Sequence, residues 1–144
     1  MSLTLHLKRL DPSVPMPSYA HAGDAGLDLY AREAVTLAPG ERAQVPTGVA
    51  VAIPDGYVGL VWDKSGLSQK HGLKTLGGVV DAGYRGEVLV GVVNVGTTPH
   101  TFERHHKVAQ MLIQRVEAVT VLETELLPES ASERGAGGFG STGQ

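Results

Sequence analysis

Arg134, Phe139, Ser141 and Thr142 fall within a stretch of ten residues that also holds five glycines, beyond the last hydrophobic segment of the chain. The mixture suits a nucleotide. Backbone N–H groups freed by glycine can wrap phosphate oxygens, the two hydroxyls can donate to them, and the guanidinium can neutralise them. An exposed phenyl ring can stack on a base. Taken alone, the same stretch also reads as a mobile Gly-Ser terminus, because it has almost nothing to bury. Four more segments share its character, each a glycine-supported loop with one or two polar residues. They are Ala22-Gly-Asp-Ala-Gly-Leu-Asp-Leu29, Lys64-Ser-Gly-Leu67, Gly78-Val-Val-Asp-Ala-Gly-Tyr-Arg-Gly86 and Lys107-Val-Ala-Gln-Met-Leu112.

The elements that must position these loops are short. Nineteen glycines and eight prolines in 144 residues, without Ala-Leu-Glu-Lys blocks, favour strands joined by tight turns. Leu3, Leu5 and Leu7 alternate with polar residues as in a half-buried strand, and Asp11–Pro17, with its three prolines, must be loop. Ala34–Pro54 reads as three strands broken at Pro39-Gly40 and at Pro46-Thr47-Gly48, and Tyr57–Trp62 as a fourth. Ser65 is placed to cap a short helix running through Lys70 and stopped by Gly72. Val79-Val80 and Val88–Val95 look like the arms of a hairpin around the loop 81–86. Val108–Leu122 fits a helical face or two strands by periodicity, and its all-β company favours strands. The expected fold is therefore all-β, a distorted jelly-roll β-barrel or sandwich with at most one short helix. Residues 1–128 would form the domain and 129–144 a flexible tail.

A net charge of −3 leaves no basic stripe for a nucleic-acid polymer, although a single nucleotide needs only a few local cations. No apolar run approaches membrane-spanning length, and without cysteine there are neither disulfides nor thiolate metal sites. A cytoplasmic location with no membrane partner is the expectation.

Set in order, the five glycine-supported segments resemble the five motifs of the homotrimeric deoxyuridine triphosphate nucleotidohydrolases, the dUTPases, across nearly the whole chain. The resemblance implies hydrolysis of dUTP to dUMP and pyrophosphate. Asp81, which by itself reads first as a turn-capping aspartate, would be the base that deprotonates water for attack on the α-phosphate. Tyr84 would lie under the deoxyribose and exclude a ribose 2′-hydroxyl. The backbone around Gly78, Val79, Val80 and Leu89 would read uracil. Lys64, Ser65, Gly66 and Gln110 would meet phosphate oxygens, with Ser65 also an N-cap. Asp28 would reach Mg²⁺ through its water shell. Arg134, Phe139, Gly140, Ser141 and Thr142 would close over the site of a neighbouring subunit in a trimer whose active sites are shared.

The chain departs from the family pattern in places. The second motif usually reads Pro-Arg-Ser-Gly, and here Asp63-Lys64 replaces its first two residues, losing the planar two-pronged guanidinium and adding a negative charge. Gly83 stands where the third motif often has an acid. His105-His106-Lys107 replaces Gly-Asp-Arg in the fourth, and adjacent histidines on a strand would face opposite ways. All six histidines read as surface or loop residues. A related fold hosts dCTP deaminases, whose glutamate would fall at Gly91, so deamination has no proton carrier here.

Overall fold

The computed structural model describes residues 2–140 and 143. Ten strands and one helix follow in order: β1 (His6–Arg9), β2 (Leu27–Tyr30), β3 (Val35–Leu37), β4 (Arg42–Ala52), β5 (Tyr57–Trp62), α1 (Ser65–His71), β6 (Leu73–Leu76), β7 (Val79–Val80), β8 (Glu87–Asn94), β9 (His100–Phe102) and β10 (Lys107–Arg115). Two four-stranded antiparallel sheets, ordered β1-β4-β8-β6 and β2-β10-β5-β7, share one core, and β3 pairs with β9 beside them. The fold is an all-β sandwich without a closed barrel.

Alternation builds the core. Val88, Val90 and Val92 of β8 are buried while Leu89 between them is exposed, and they meet Val45, Val49 and Val51 of β4. Each such valine contributes about 1.5–2 kcal/mol of apolar burial. Leu29, Ala109, Met111 and Val61 close the core from the second sheet.

The segment expected to break at Pro46-Thr47-Gly48 is instead one long strand, β4, with a bulge between Pro46 and Ala50 in its pairing with β8. Thr47 Oγ1 donates to the Val88 carbonyl at 2.6 Å inside the core, and Gly48 adopts φ 70°, so the irregularity is absorbed without leaving the sheet. Val79-Val80 and Val88–Val95 are not a hairpin. β7 pairs with Gly59 and Leu60 of β5, whereas β8 lies between β4 and β6 in the other sheet, so the loop 81–86 crosses from one sheet to the other. Adjacent β-branched runs carry no signal of which sheet they join, and this is why the sequence misassigned them.

Of Val108–Leu122 only the first half is strand. β10 ends at Arg115, and residues 114–136 are exposed throughout, among them Val116, Val119, Val121, Leu122, Leu126 and Leu127. His105 and His106 lie in the turn before β10 rather than on a strand, and His105 takes φ 67°. His100, on β9, is half-buried with its ring 4.7 Å from that of His71 and 4.8 Å from that of Phe102. Burial, reinforced by His71 and His106, depresses its basicity.

Candidate active site

β10 is the strand that assembles the site. It runs between β2 and β5, placing Gln110 opposite Asp28 on one side and opposite Trp62 on the other. Trp62 ends β5, and the chain then turns through Asp63 and an extended Lys64 into α1. The helix stops at Gly72, whose φ of 67° is left-handed and whose absent Cβ would fall 2.7 Å from the Gly96 backbone. Ser65 is the first helical residue, not the cap. Lys64 occupies the cap position, and its side chain makes no capping hydrogen bond, reaching instead to Asp28.

Asp28, Lys64, Ser65, Gly66 and Gln110 line one cleft of about 270 Å³, together with Asp24 and Gly26. Asp28 is 2% exposed, and each of its oxygens is held by a lysine: Oδ1 by Lys64 Nζ at 2.5 Å and Oδ2 by Lys107 Nζ at 2.8 Å. Burial pushes this carboxyl up, but the hydrogen bonds from Lys107 and Lys64 outweigh it and hold it below its ordinary value. Lys107 is held above its own by the same contact. One carboxylate and two ammonium groups give the clamp a net positive charge, which the carboxylate of Asp24 on the cleft wall offsets. Gln110 donates from Nε2 to the Asp63 carbonyl at 2.9 Å, and its amide lies where a Gly26 Cβ would be, 2.3 Å from Oε1. Only glycine fits at 26.

Asp63, the unexpected acid, does not burden this cleft. Its Oδ2 accepts from Lys74 Nζ and its Oδ1 from the Thr75 backbone N–H, both at 2.6 Å. Burial opposes the charge, yet the Lys74 and Thr75 hydrogen bonds keep the carboxyl below its ordinary value. Asp63 thus fastens the start of α1 to β6.

The other predicted site residues are elsewhere on the chain. Gly78, with φ 105°, accepts a hydrogen bond from the Val61 N–H at 2.8 Å, and a Cβ there would fall 2.7 Å from the Val61 carbonyl oxygen. Gly78 and Val79 line a groove of about 260 Å³ with Trp62, which is half-exposed. Val80 is half-buried beside Gly59. Gly78 and Leu89 border a wider groove that includes Gly91. Asp81 is exposed, in a turn closed by the Tyr84 N–H to its carbonyl at 3.0 Å, and among the described residues its carboxylate has no hydrogen-bond partner. Tyr84 is 45% exposed. Arg134 donates to the Gly137 carbonyl, Phe139 is fully exposed with φ 49°, and Gly140 follows it in the open. Ser141 and Thr142 lie outside the described residues. The chain therefore gathers residues of the first, second and fourth motifs in one cleft and leaves Asp81, Tyr84 and Phe139 exposed outside it. Lys107 and Asp24 were not singled out from sequence, although Lys107 opens the fourth segment and Asp24 stands between the two glycines of the first.

Among the described residues no three His, Asp or Glu side chains are grouped to hold a metal. The donor set fits a cation that arrives on phosphate oxygens and keeps its waters, not one caged by protein. A glutamate at 91 is excluded by space: a Cβ on Gly91 would meet the Leu76 carbonyl oxygen at 2.9 Å. The deaminase reading ends there.

Residues 12–143 match the family profile described as dUTPase. The chain belongs to the dUTPase family. The deoxyuridine 5′-triphosphate nucleotidohydrolase of Thermobifida fusca is 51% identical to this dUTPase over 145 residues, covering 99% of the chain and 80% of the relative. That of Mycolicibacterium gilvum is 52% identical over 149 residues, covering 99% and 97%. Among solved structures, the Staphylococcus bacteriophage 80alpha dUTPase with dUPNHPP superposes at a TM-score of 0.91 with 33% identity, covering 99% of this chain and all of that one. A dUTPase from phage phi11 of S. aureus, in which coordination of a structural Mg(II) ion is described, gives 0.80 at 30% identity over 85% and 97%. As a dUTP nucleotidohydrolase the chain needs a triphosphate site, and residues of the first, second and fourth segments converge on the lysine-clamped cleft. No helix of the described residues is long and apolar enough to cross a membrane.

Proposed function

We propose that this dUTPase cleaves dUTP between the α- and β-phosphorus atoms to give dUMP and pyrophosphate. The carrying observation is the convergence of Asp28, Lys64, Ser65, Gly66 and Gln110 on one small polar cleft. The family and the dUTP analogue held by a structural relative support the same substrate. Asp81 takes a proton from water as its oxygen attacks the α-phosphorus, and the bridging P–O bond breaks with pyrophosphate leaving. The Ser65 hydroxyl and the first N–H groups of α1 donate to phosphate oxygens. Lys64 is placed to exchange its Asp28 contact for a triphosphate oxygen, and Asp28 would then be the residue that holds a phosphate-bound Mg²⁺ through water. Mg²⁺ would supply charge neutralisation on the triphosphate when bound. Tyr84 rejects ribose by contact, and the backbone at Gly78, Val79, Val80 and Leu89 reads uracil.

The separation of the motifs supports a shared site. Asp81 and the tail from residue 129 on reach the clefts of other copies in a homotrimer, with Arg134, Phe139, Gly140, Ser141 and Thr142 closing the site. The exposed apolar side chains between Val116 and Leu127 are surface that a second copy would cover. In the cell the reaction limits dUTP available for incorporation into DNA and supplies dUMP for thymidylate synthesis, in the cytoplasm.

The test is pyrophosphate release from dUTP, UTP, dTTP and dCTP with Mg²⁺, run in ¹⁸O-water. Fast release from dUTP alone, with label in dUMP, is expected, and Asp81→Asn should lower kcat by about 10²-fold or more. Label in pyrophosphate would overturn the α-phosphate assignment. Mixing Asp81→Asn with a chain ending before Arg134 should restore activity to the pair of inactive proteins, since some mixed sites would draw both intact parts from different subunits.

A further inference from the structure

The loop 81–86 is tied down both from within and by Arg32 and Glu87, which lie outside the five motif segments. Tyr84 Oη donates to the Glu87 carbonyl at 2.9 Å. The ring lies against Gly86 so closely that a Cβ there would come within 2.5 Å of Oη and 2.7 Å of Cζ. Gly86 has no positive φ to demand glycine, so the space beneath the tyrosine is what demands it. Glu87 itself is anchored through its side chain. Oε1 accepts from Arg32 Nη1 at 2.9 Å, and Oε2 faces the N–H of Gly48 at 3.4 Å, in the bulge of β4. Arg32 is fixed in turn by its backbone N–H to the Pro46 carbonyl at 2.8 Å. Arg85 closes the loop from within, donating to the Ala82 and Tyr84 carbonyls.

We infer that Gly86 and the Arg32–Glu87 pair are positioning residues that set the height and tilt of the Tyr84 ring and so determine how strictly the enzyme separates deoxyribose from ribose. The inference rests on the proposed role of Tyr84. A steric filter works only as well as its wall is fixed, because a ring that can retreat by a fraction of an ångström admits the extra hydroxyl. Here the ring packs on the bare backbone of Gly86 on one side, and its hydroxyl is held on the other by the carbonyl of Glu87, which is salt-bridged to Arg32 and, through the Arg32 backbone, tied to the bulged strand. Arg32 and Glu87 touch no part of the lysine-clamped cleft, so their loss should move sugar selectivity more than turnover of the correct substrate.

The experiment compares kcat/KM for dUTP and UTP, with Tm recorded, in the wild type and in Tyr84→Ala, Gly86→Ala, Glu87→Ala, Glu87→Gln, Arg32→Ala and the Arg32→Ala/Glu87→Ala double variant. Gly86→Ala should lower the dUTP-to-UTP ratio by about tenfold or more, the scale of one misplaced methyl group in a fitted pocket. Glu87→Ala and Arg32→Ala should each lower it several-fold, and the double variant no further than either alone. Glu87→Gln, which keeps an acceptor for Arg32, should retain most of the ratio. Should Gly86→Ala fail to fold, the Arg32 and Glu87 variants carry the test. A ratio that collapses in Tyr84→Ala but is unchanged in these variants overturns the inference and leaves the role of Tyr84 standing. Equal losses of kcat/KM on both nucleotides would also overturn it, since they mark a merely structural part. A ratio unmoved in Tyr84→Ala overturns both readings.

Discussion

Replacing Asp28 by asparagine tests the charge clamp on the wall of the proposed phosphate cleft. The side chain is almost wholly buried and holds two ammonium groups, one on each oxygen. Asparagine keeps the shape, but it can accept from only one lysine and turns its amide donors toward the other. Breaking a fully buried pair by removing one partner costs about 3–5 kcal/mol. Lys64 and Lys107 retain 27% and 44% of their side-chain exposure, so both can rehydrate in part. Halving the penalty for that access leaves about 2 kcal/mol, or roughly 6–8 °C in Tm for a chain of this length. Calorimetry at fixed protein concentration reads the shift, because self-association would otherwise move Tm by mass action. The pH dependence supplies a second check. Asp28 is depressed below its ordinary 3.8, so its stabilisation is complete above that value and is lost as the pH falls through the lower folded one. The gap between wild type and variant should therefore be full at neutral pH and close in acid. A gap below about 2 °C, or one that persists undiminished in acid, would show that the lysines are solvated and the clamp adds little.

Two more outcomes follow from the same geometry. Lys64→Arg restores a planar fork able to hold Asp28 and a phosphate oxygen together, and KM for dUTP should fall about threefold with kcat nearly unchanged; a raised KM would mean the cleft is shaped to an ammonium. At His105, φ 67° favours glycine, the residue that the family pattern carries there, and penalises a branched side chain. Melting temperatures should rank His105→Gly at or above wild type, with His105→Val lower by about 1–2 kcal/mol of stability; a stable valine variant would refute the left-handed assignment.

The all-β class, the strand Tyr57–Trp62 and the short helix with its Gly72 stop were legible in the residues, whereas the common cleft of Asp28, Lys64, Ser65, Gly66 and Gln110 followed only from the resemblance of their segments to the family motifs. Local signals sufficed where one residue type dictates one backbone state. They failed where the answer was tertiary. Pro46-Thr47-Gly48 has the composition of a turn, but the Thr47 bond to the Val88 carbonyl keeps β4 whole. Val79-Val80 and Val88–Val95 have the composition of paired strands, yet each finds a longer partner in a different sheet. The β-branched run after Arg115 has strand propensity and, in one chain, no strand to join. The pairing of Lys107 with Asp28 across β10 and β2 depends on register, and sequence spacing does not carry register. Asp63 looked like an intruder because its partners, Lys74 and Thr75, come from a strand that had not been foreseen.

Trp62 is the only tryptophan in the chain, half-exposed at the end of β5, immediately before Asp63-Lys64 and on the wall of the groove shared with Gly78 and Val79. Indole emission depends on contact with water, and this ring is partly wet. The fold has thereby installed a single optical reporter at the junction of its second and third motifs. A nucleotide, a closing tail or a neighbouring copy that shields the ring would each change its colour or its accessibility to a soluble quencher. Stopped-flow mixing of the unmodified protein can thus time those events separately from the release of pyrophosphate.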